Sequence, residues 1–172
     1  MSVLDLGEFT QTNVLYITSL GHKLYSENLL HTLDTVFGPG APADAQEQPD
    51  RVRAFLDQAL QFEPGQFDAV LVWNTLEYLA KPVMDVVMRR LHEIMRPQGI
   101  LLASFHADIK EDTIPVFSYR IADGKTLLLQ NKERRKPAQV FNNRAIEKLF
   151  TSFRSVKFFL TRDHLREVIV RR

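Results

Sequence analysis

Residues that could bind a small molecule stand where two short predicted strands end. Asp5 and Gly7 close the apolar run Val3–Gly7, and Glu27 follows the second strand, 20 residues beyond Gly7. A glycine at such a turn lets a ligand approach the backbone, and an acid at that offset can accept hydrogen bonds from both hydroxyls of a ribose. The spacing therefore predicts a nucleoside ligand. In the structural alternative, Gly7 only ends a strand, and Glu27 is a solvent-exposed residue at the end of the next strand.

Polar and aromatic residues follow two further segments. Asp57 and Gln58 could reach an adenine edge, and Trp73 with Asn74 could line the same cleft at the end of a buried strand. Each has a structural alternative. Asp57 would lie on a solvent face if its segment is helical, Trp73 would pack in the core, and Asn74 would cap the next turn.

His106 and Asp108 follow another predicted strand and are weak candidates for acid–base groups, because their position favours a solvated loop. The other four histidines are scattered and lack partners at ligand spacing, so we expect no metal site. The absence of cysteine excludes disulfides, Cys-based zinc sites and cysteine nucleophiles. The basic run 132–136 could bind an acidic substrate or RNA, or be a solvated loop; without interleaved aromatic residues we expect no nucleic-acid partner.

Strands and helices alternate through the first two thirds of the chain, which predicts a mostly parallel α/β sheet with right-handed crossovers. The predicted strands are 3–7, 23–27, 67–73, 100–105, 156–160 and 167–171, and the predicted helices are 14–20, 29–37, 83–94 and 143–153. Only six residues separate the last two strands, so they must be antiparallel.

Three segments depart from this alternation. The segment 51–62 has apolar spacing that favours a helix, although its start could be a short strand. The segment 38–50 is rich in Pro, Gly and Ala and is predicted to be a mobile surface loop. The segments 117–121 and 126–129 flank Asp123-Gly124, which predicts an inserted β-hairpin within 115–130. Its apolar face must be covered by the domain, a substrate or a second chain, so a homodimer through 117–129 is one hypothesis.

Length and composition predict one ordinary globular domain spanning residues 1–172. The formal net charge is +1, and no apolar run is long enough to cross a membrane. The N-terminus has no basic flank before an apolar run, so we expect no signal peptide, no membrane partner and a cytoplasmic location.

The residues named above resemble the class I S-adenosylmethionine-dependent methyltransferases over almost the whole chain. Val3–Gly7 looks like the first motif of that family, Glu27 like its ribose-binding acid and Asp57 like its adenine-contacting acid. The segment 67–73 resembles the strand-four motif, and 91–102 resembles the segment that joins a helix through Arg-Pro-Gly-Gly to strand five. The resemblance would make 51–56 the third strand.

The resemblance implies a Rossmann-like, three-layer α/β/α sheet with a C-terminal antiparallel hairpin, which NAD-binding sheets lack. It implies S-adenosylmethionine as cofactor, methyl transfer to a small molecule as function, and the following cofactor-binding residues: Asp5, Gly7, Glu8, Glu27, Asn28, Asp57, Gln58, Trp73 and Asn74.

Two departures keep a second hypothesis open, a catalytically inactive methyltransferase-like module that binds a partner or dimerises. Phe9 and Gln11 replace the second and third glycines of the first motif, and the helices that commonly precede the first strand are absent from this sequence. NAD fits less well, since Glu8 at about 4 Å from a phosphate would cost roughly 1 kcal/mol in water and about 4 kcal/mol near a protein surface. Binding of S-adenosylmethionine requires the Phe9 ring to stay outside the cleft and the Glu27 carboxylate to face it.

Overall fold

The computed structural model describes residues 1–172 and contains eight strands and five α-helices. The strands are β1 (Ser2–Asp5), β2 (Lys23–Ser26), β3 (Phe67–Trp73), β4 (Met95–His106), β5 (Ile114–Ile121), β6 (Leu127–Arg135), β7 (Ser155–Leu160) and β8 (Leu165–Arg171). The helices are α1 (Gln11–Ser19), α2 (Leu29–Phe37), α3 (Pro49–Leu56), α4 (Lys81–Ile94) and α5 (Asn143–Leu149).

Six strands form one sheet in the order β2-β1-β3-β4-β8-β7. The first four are parallel, whereas β8 runs antiparallel to both β4 and β7. This confirms the predicted mostly parallel sheet with a C-terminal antiparallel hairpin. From β1 the chain moves to one side to form β2 and later to the other side to form β3, so the strand order reverses between β1 and β3.

The two faces of the sheet are covered differently. Because side chains alternate along a strand, Val70 and Val72 of β3 enter the main core together with apolar residues of α2 to α5. Leu71 and Trp73 face the other way and pack with apolar residues of the β5–β6 hairpin. The hairpin therefore covers one face of the sheet, as a helix does in most three-layer proteins.

The expected third strand at 51–56 is wrong, because these residues form helix α3. Pro49 lies at the start of the helix, where its missing N–H is not needed, and Val52 and Phe55 are buried on one side. The helical interpretation of the apolar spacing is the correct one. As a result, no strand pairs with the outer side of β2.

The inserted hairpin is present, and it is longer than expected. Strand β6 continues to Arg135 and includes most of the basic run, so those residues are not a solvated loop. Leu127 and Leu129 pack against the domain itself, whereas Leu128 is 53% exposed. The domain thus covers the apolar face of the hairpin, and the homodimer stays a prediction.

The segment 38–50 lies partly on the surface and is anchored at one residue. The Gln46 side chain is fully buried, donates to the carbonyls of Ala41 (2.7 Å) and Tyr78 (2.9 Å), and accepts from the N–H of Ala80 (2.8 Å). This anchor holds the loop to the start of α4. The predicted mobility of the loop is not tested by these contacts. None of the helices has the length and hydropathy needed to cross a bilayer.

Asn13 of α1 joins the hairpin to the sheet. Its buried Nδ2 donates to the Asp5 carboxylate (3.1 Å) and to the carbonyl of Tyr119 (2.9 Å), while its Oδ1 accepts from the N–H of Ile121 (2.8 Å). One side chain therefore connects β1, α1 and β5.

We expect Asn13→Ala to lower the free energy of unfolding by about 2–3 kcal/mol, because it leaves buried backbone and carboxylate groups without partners. Denaturant unfolding measures this, with Thr12→Ala as the control, since Thr12 is exposed on the same helix. Equal stability of the two variants would contradict the role of Asn13.

Candidate functional site

A cavity of about 330 Å³ opens at the carboxyl ends of β1 and β3, where the strand order reverses. Of the nine predicted cofactor-binding residues, five line it: Gly7, Glu8, Asn28, Trp73 and Asn74. The opposite wall comes from helix α2 and strand β6, which sequence reasoning did not connect with the site. The exposed ring of Phe9 does not line this cavity.

Asp5 lies behind the cavity and organises its floor. One carboxylate oxygen accepts from the Gly7 N–H (3.0 Å) and from Nε1 of Trp73 (2.6 Å), and the other accepts from Asn13. The side chain is only 3% exposed, so its bonds go to the protein itself. Asp5 thus positions the turn after β1 instead of lining the cavity.

The Trp73 indole lies directly over Gly7. Trp73 has a positive φ of 57°, and its ring stacks on Tyr119 with centroids 4.5 Å apart and an interplanar angle of 12°. A Cβ atom at Gly7 would lie 2.7 Å from Cδ1 of the indole, which leaves no room for a side chain. Gly7 is therefore needed for the close approach of Trp73, and Trp73 belongs both to the core and to the cavity wall.

Glu27 does not face the cavity. Both of its carboxylate oxygens accept from the N–H of Leu60, at 2.9 and 3.1 Å. Leu60 is buried with a positive φ of 56°, so Glu27 holds a strained turn after α3. The Glu27 carboxylate therefore does not have the orientation that the predicted binding of a ribose requires.

Asp57 and Gln58 are exposed and do not line the cavity. Asp57 follows the last residue of α3, and the Gln58 amide donates to the carbonyl of Ala54 on the same helix. They lie far from the predicted position because 51–56 is a helix and not a strand. The helical alternative, with Asp57 facing solvent, describes them correctly.

Two asparagines of the cavity wall have structural bonds as well. Asn28 caps helix α2 by accepting from the N–H of His31 (3.1 Å). The Asn74 amide donates to the hydroxyl of Tyr78 (3.1 Å) and to the carbonyl of Pro115 (3.2 Å), and it makes no capping bond. Asn74 thus attaches the start of β5 to the end of β3.

Two ion pairs join strand β6 to the rest of the wall, and a third lies within the strand. Arg135 makes a bidentate pair with Asp34 of α2, at 2.8 and 2.5 Å, and contacts Glu133 at 2.5 Å. Lys132 lies 3.4 Å from Glu8. The basic run therefore forms ion pairs with acidic groups of the cavity wall, a role that its composition alone did not indicate.

His106 is the last residue of β4 and bonds a residue that sequence reasoning missed, Glu77. One oxygen of the fully buried Glu77 carboxylate lies 2.7 Å from Nδ1 of His106, and the other accepts from the backbone N–H of His106 at 2.8 Å. Asp108 is exposed and has no such partner, in line with a solvated loop. The only sequence signal for Glu77 was an acid shortly after a buried strand.

Burial raises the pKa of Glu27 above its ordinary value of 4.5, and the bond from Leu60 only partly opposes this effect. The folded state then takes up a proton at a higher pH than the unfolded chain. The stabilisation by that proton is fully present below pH 4.5 and is lost as pH rises through the raised pKa.

We therefore expect the wild-type protein to gain stability relative to Glu27→Gln as pH is lowered from neutrality toward 4.5. Parallel denaturant titrations of both proteins across this range measure the difference in unfolding free energy. A difference that stays constant, or changes in the opposite direction, would show that the carboxylate is not desolvated by the fold.

Comparison with known proteins agrees with this architecture. Residues 10–103 match a family model described as a methyltransferase domain. No curated protein matches the sequence.

Several solved structures with the same fold are methyltransferases of low sequence identity. The Burkholderia thailandensis 1,6-didemethyltoxoflavin-N1-methyltransferase, solved with 1,6-didemethyltoxoflavin and S-adenosylhomocysteine, is 14% identical with a TM-score of 0.55, over 99% of this chain and 70% of that one. A methyltransferase from Methanosarcina mazei gives the same identity and TM-score, over 99% of this chain and 92% of that one. A glycopeptide N-methyltransferase solved with S-adenosylmethionine is 12% identical with a TM-score of 0.50, over 98% of this chain and 86% of that one. These likenesses show the fold, and because the family match spans more than half of the chain, the protein belongs to the methyltransferase-domain family.

Proposed function

We propose that the protein binds S-adenosylmethionine, the cofactor of its family, in the cavity beyond β1 and β3 and transfers the methyl group to a small molecule. The observation that supports this most is the position of the cavity, at the strand ends where the order reverses and with Gly7 in its wall. Its volume of about 330 Å³ lies at the lower end of the range for small-molecule sites.

The charges of the wall suit the methionine end of this cofactor. The lining carries three carboxylates, those of Glu8, Asp34 and Glu133, and two cations, those of Lys132 and Arg135, so one negative charge is left over. This excess attracts a sulfonium or ammonium group and weakly repels the pyrophosphate of a dinucleotide. The wall therefore favours a cationic nucleoside over NAD.

The condition that Glu27 face the cleft is not met, because its carboxylate accepts from Leu60. Binding in the manner that the resemblance implies is therefore excluded, and a bound ribose needs other partners. Asn28 and His31 line the cavity three residues apart at the start of α2, so they lie on one face of the helix. An amide and an imidazole can both bond hydroxyl groups. These two side chains would hold the ribose in place of Glu27.

When bound, the cofactor supplies a methyl group on a positively charged sulfur. The protein has to align the acceptor and exclude water. Trp73, Val116 and Phe117 give the cavity an apolar side, and the ion pairs of β6 close it toward the hairpin. A cavity of about 330 Å³ bounded on this side by ion pairs favours a small acceptor over a macromolecular one.

Calorimetric titration with S-adenosylmethionine and S-adenosylhomocysteine tests the proposal. We expect both to bind, and we expect Glu8→Lys to weaken binding of the first more than of the second, by about tenfold, because only the first has a charged sulfur. Glu63→Lys is the matched control, since Glu63 is exposed outside the cavity. Absence of binding heat and of a thermal shift at saturating ligand would refute the proposal.

A second candidate is a methyltransferase-like module without catalysis, which binds a partner or a second copy. The internal bonds of Asp5 and Glu27 favour it, because neither carboxylate is free for a nucleoside. Leu128, exposed on the hairpin, is then the residue to test. Leu127 is not suitable, since it packs against the domain.

If the hairpin forms a homodimer, Leu128→Asp should convert the dimer to a monomer, because it places a charge in an apolar interface. Light scattering coupled to size exclusion measures this. Arg120→Asp, at the register partner of Leu128 on β5, shows whether a negative charge at a neighbouring position that already carries a charge has the same effect. An unchanged oligomeric state for Leu128→Asp would exclude the hairpin dimer.

A further inference from the structure

Strand β7 forms one edge of the sheet and has no partner on its outer side. It pairs only with β8, in a regular antiparallel register without a bulge. Just beyond β7, the Thr161 N–H donates to the carbonyl of Leu165 (2.8 Å). Because bonded residues alternate along an antiparallel strand, the odd-numbered residues of β7 bond β8. The N–H and C=O groups of Val156, Phe158 and Leu160 therefore point outward and are free to pair with another strand.

This edge is apolar and lacks the features that commonly prevent pairing. Natural edge strands are short, bulged, interrupted by Pro or lined with charges. Strand β7 has six residues without Pro, and Lys157 is its only charged residue. Phe159 is 49% exposed and Leu160 is 72% exposed. Such a strand is suited to pairing with a second strand, unlike the four-residue β2 at the opposite edge of the sheet.

The sequence of β7 is complementary to itself about a two-fold axis at Phe158. Antiparallel pairing about this axis places Phe158 opposite Phe158 of a second copy, and Val156 opposite Leu160. All three residues present outward N–H and C=O groups, so each pair exchanges two main-chain hydrogen bonds. Their side chains share the face on which Val156 and Phe158 already pack against the main core. This face of the interface is therefore apolar throughout, and it covers Leu160.

The opposite face of the paired strands brings a cation to an aromatic ring. Lys157 lies opposite Phe159 of the second copy, within the distance at which an ammonium group is attracted to a ring. The two copies of Lys157 are not opposite each other, so this charge does not prevent the pairing. Like charges meet only at the strand ends, where Arg154 lies opposite Arg162. Both arginines are exposed, and Asp163 follows Arg162, so solvent screens their repulsion.

We propose that the protein forms a homodimer in which two β7 strands pair antiparallel about a two-fold axis at Phe158 and join the two sheets into one. A second copy suits this edge better than a foreign strand, because one register of the same sequence satisfies the main chain and both faces. No residue of β7 lines the cavity, so both cavities stay outside the interface. The dimer depends neither on cofactor binding nor on the β5–β6 hairpin.

Light scattering coupled to size exclusion tests the dimer with substitutions of exposed residues. The wild-type protein should have twice the chain mass of 19.9 kDa. Leu160→Asp should raise the dissociation constant of the dimer about a hundredfold, roughly tenfold for each of the two carboxylates placed in the apolar interface. Val140→Asp is the matched control, since Val140 is 67% exposed outside β7. Leu128→Asp should also leave this dimer unchanged.

The absence of cysteine from the chain allows a test of the register by disulfide formation. Lys157→Cys and Phe159→Cys, mixed in equal amounts and oxidised, should form a linked dimer, because these positions lie directly opposite each other. Either variant alone should link several-fold less, because identical positions are then diagonal and too far apart. Equal linking in the mixture and in the single variants would show that the proposed register is wrong.

Amide hydrogen exchange of the unsubstituted protein gives a readout that needs no variant. The N–H groups of Val156, Phe158 and Leu160 should exchange at least about tenfold more slowly in the dimer than in a sample diluted to the mass of one chain. The amides of β2, at the other edge, should not change. A single-chain mass at about 1 mM protein would overturn the proposal. A dimer that Leu128→Asp disrupts and Leu160→Asp does not would overturn it as well.

Discussion

The hydrogen bonds of the Asp5 carboxylate hold the functional end of this protein together. Its three donors come from the turn after β1, from the indole at the end of β3, and from helix α1. Through Asn13 the last of these connections continues to the hairpin that covers the sheet. Because the carboxylate is buried, each hydrogen bond forms in a medium of low polarity, where losing one strongly lowers the free energy of unfolding. The floor and the cover of the cavity thus depend on one side chain.

This arrangement gives the first motif a different use from the one its sequence suggests. An acid and a glycine after the first strand predict an approach between backbone and ligand, and the glycine is indeed required, but by Trp73. The loss of the later glycines is tolerated because Phe9 turns outward to solvent. The cleft lies at the strand ends where open α/β sheets bind ligands, and part of its wall comes from the hairpin and from helix α2.

Much of the fold followed from local patterns. Continuous apolar runs gave β3 and the second half of β4, and the six-residue gap between β7 and β8 required an antiparallel pair. The resemblance misplaced 51–56, since a family pattern cannot show that a helix has replaced a strand, whereas the apolar period of these residues could. The local apolar patterns predicted these elements correctly, whereas the third strand taken from the family resemblance was wrong.

The site was predicted less well, because its remaining residues depend on contacts that are distant in sequence. Glu27 binds Leu60, 33 residues away, and Arg135 binds Asp34, 101 residues away. No spacing rule connects such residues. Glu77 and His106 meet only because β3 and β4 are neighbours in the sheet.

The absence of a strand on the outer side of β2 also affects how this protein behaves beside other copies of itself. Strand β2 is an edge of the sheet with one side unpaired, and such edges favour strand addition and aggregation. Here the edge strand is only four residues long and begins with Lys23, whose charged side chain opposes pairing with another strand. A short, charged edge of this kind opposes further strand pairing without a covering strand or helix.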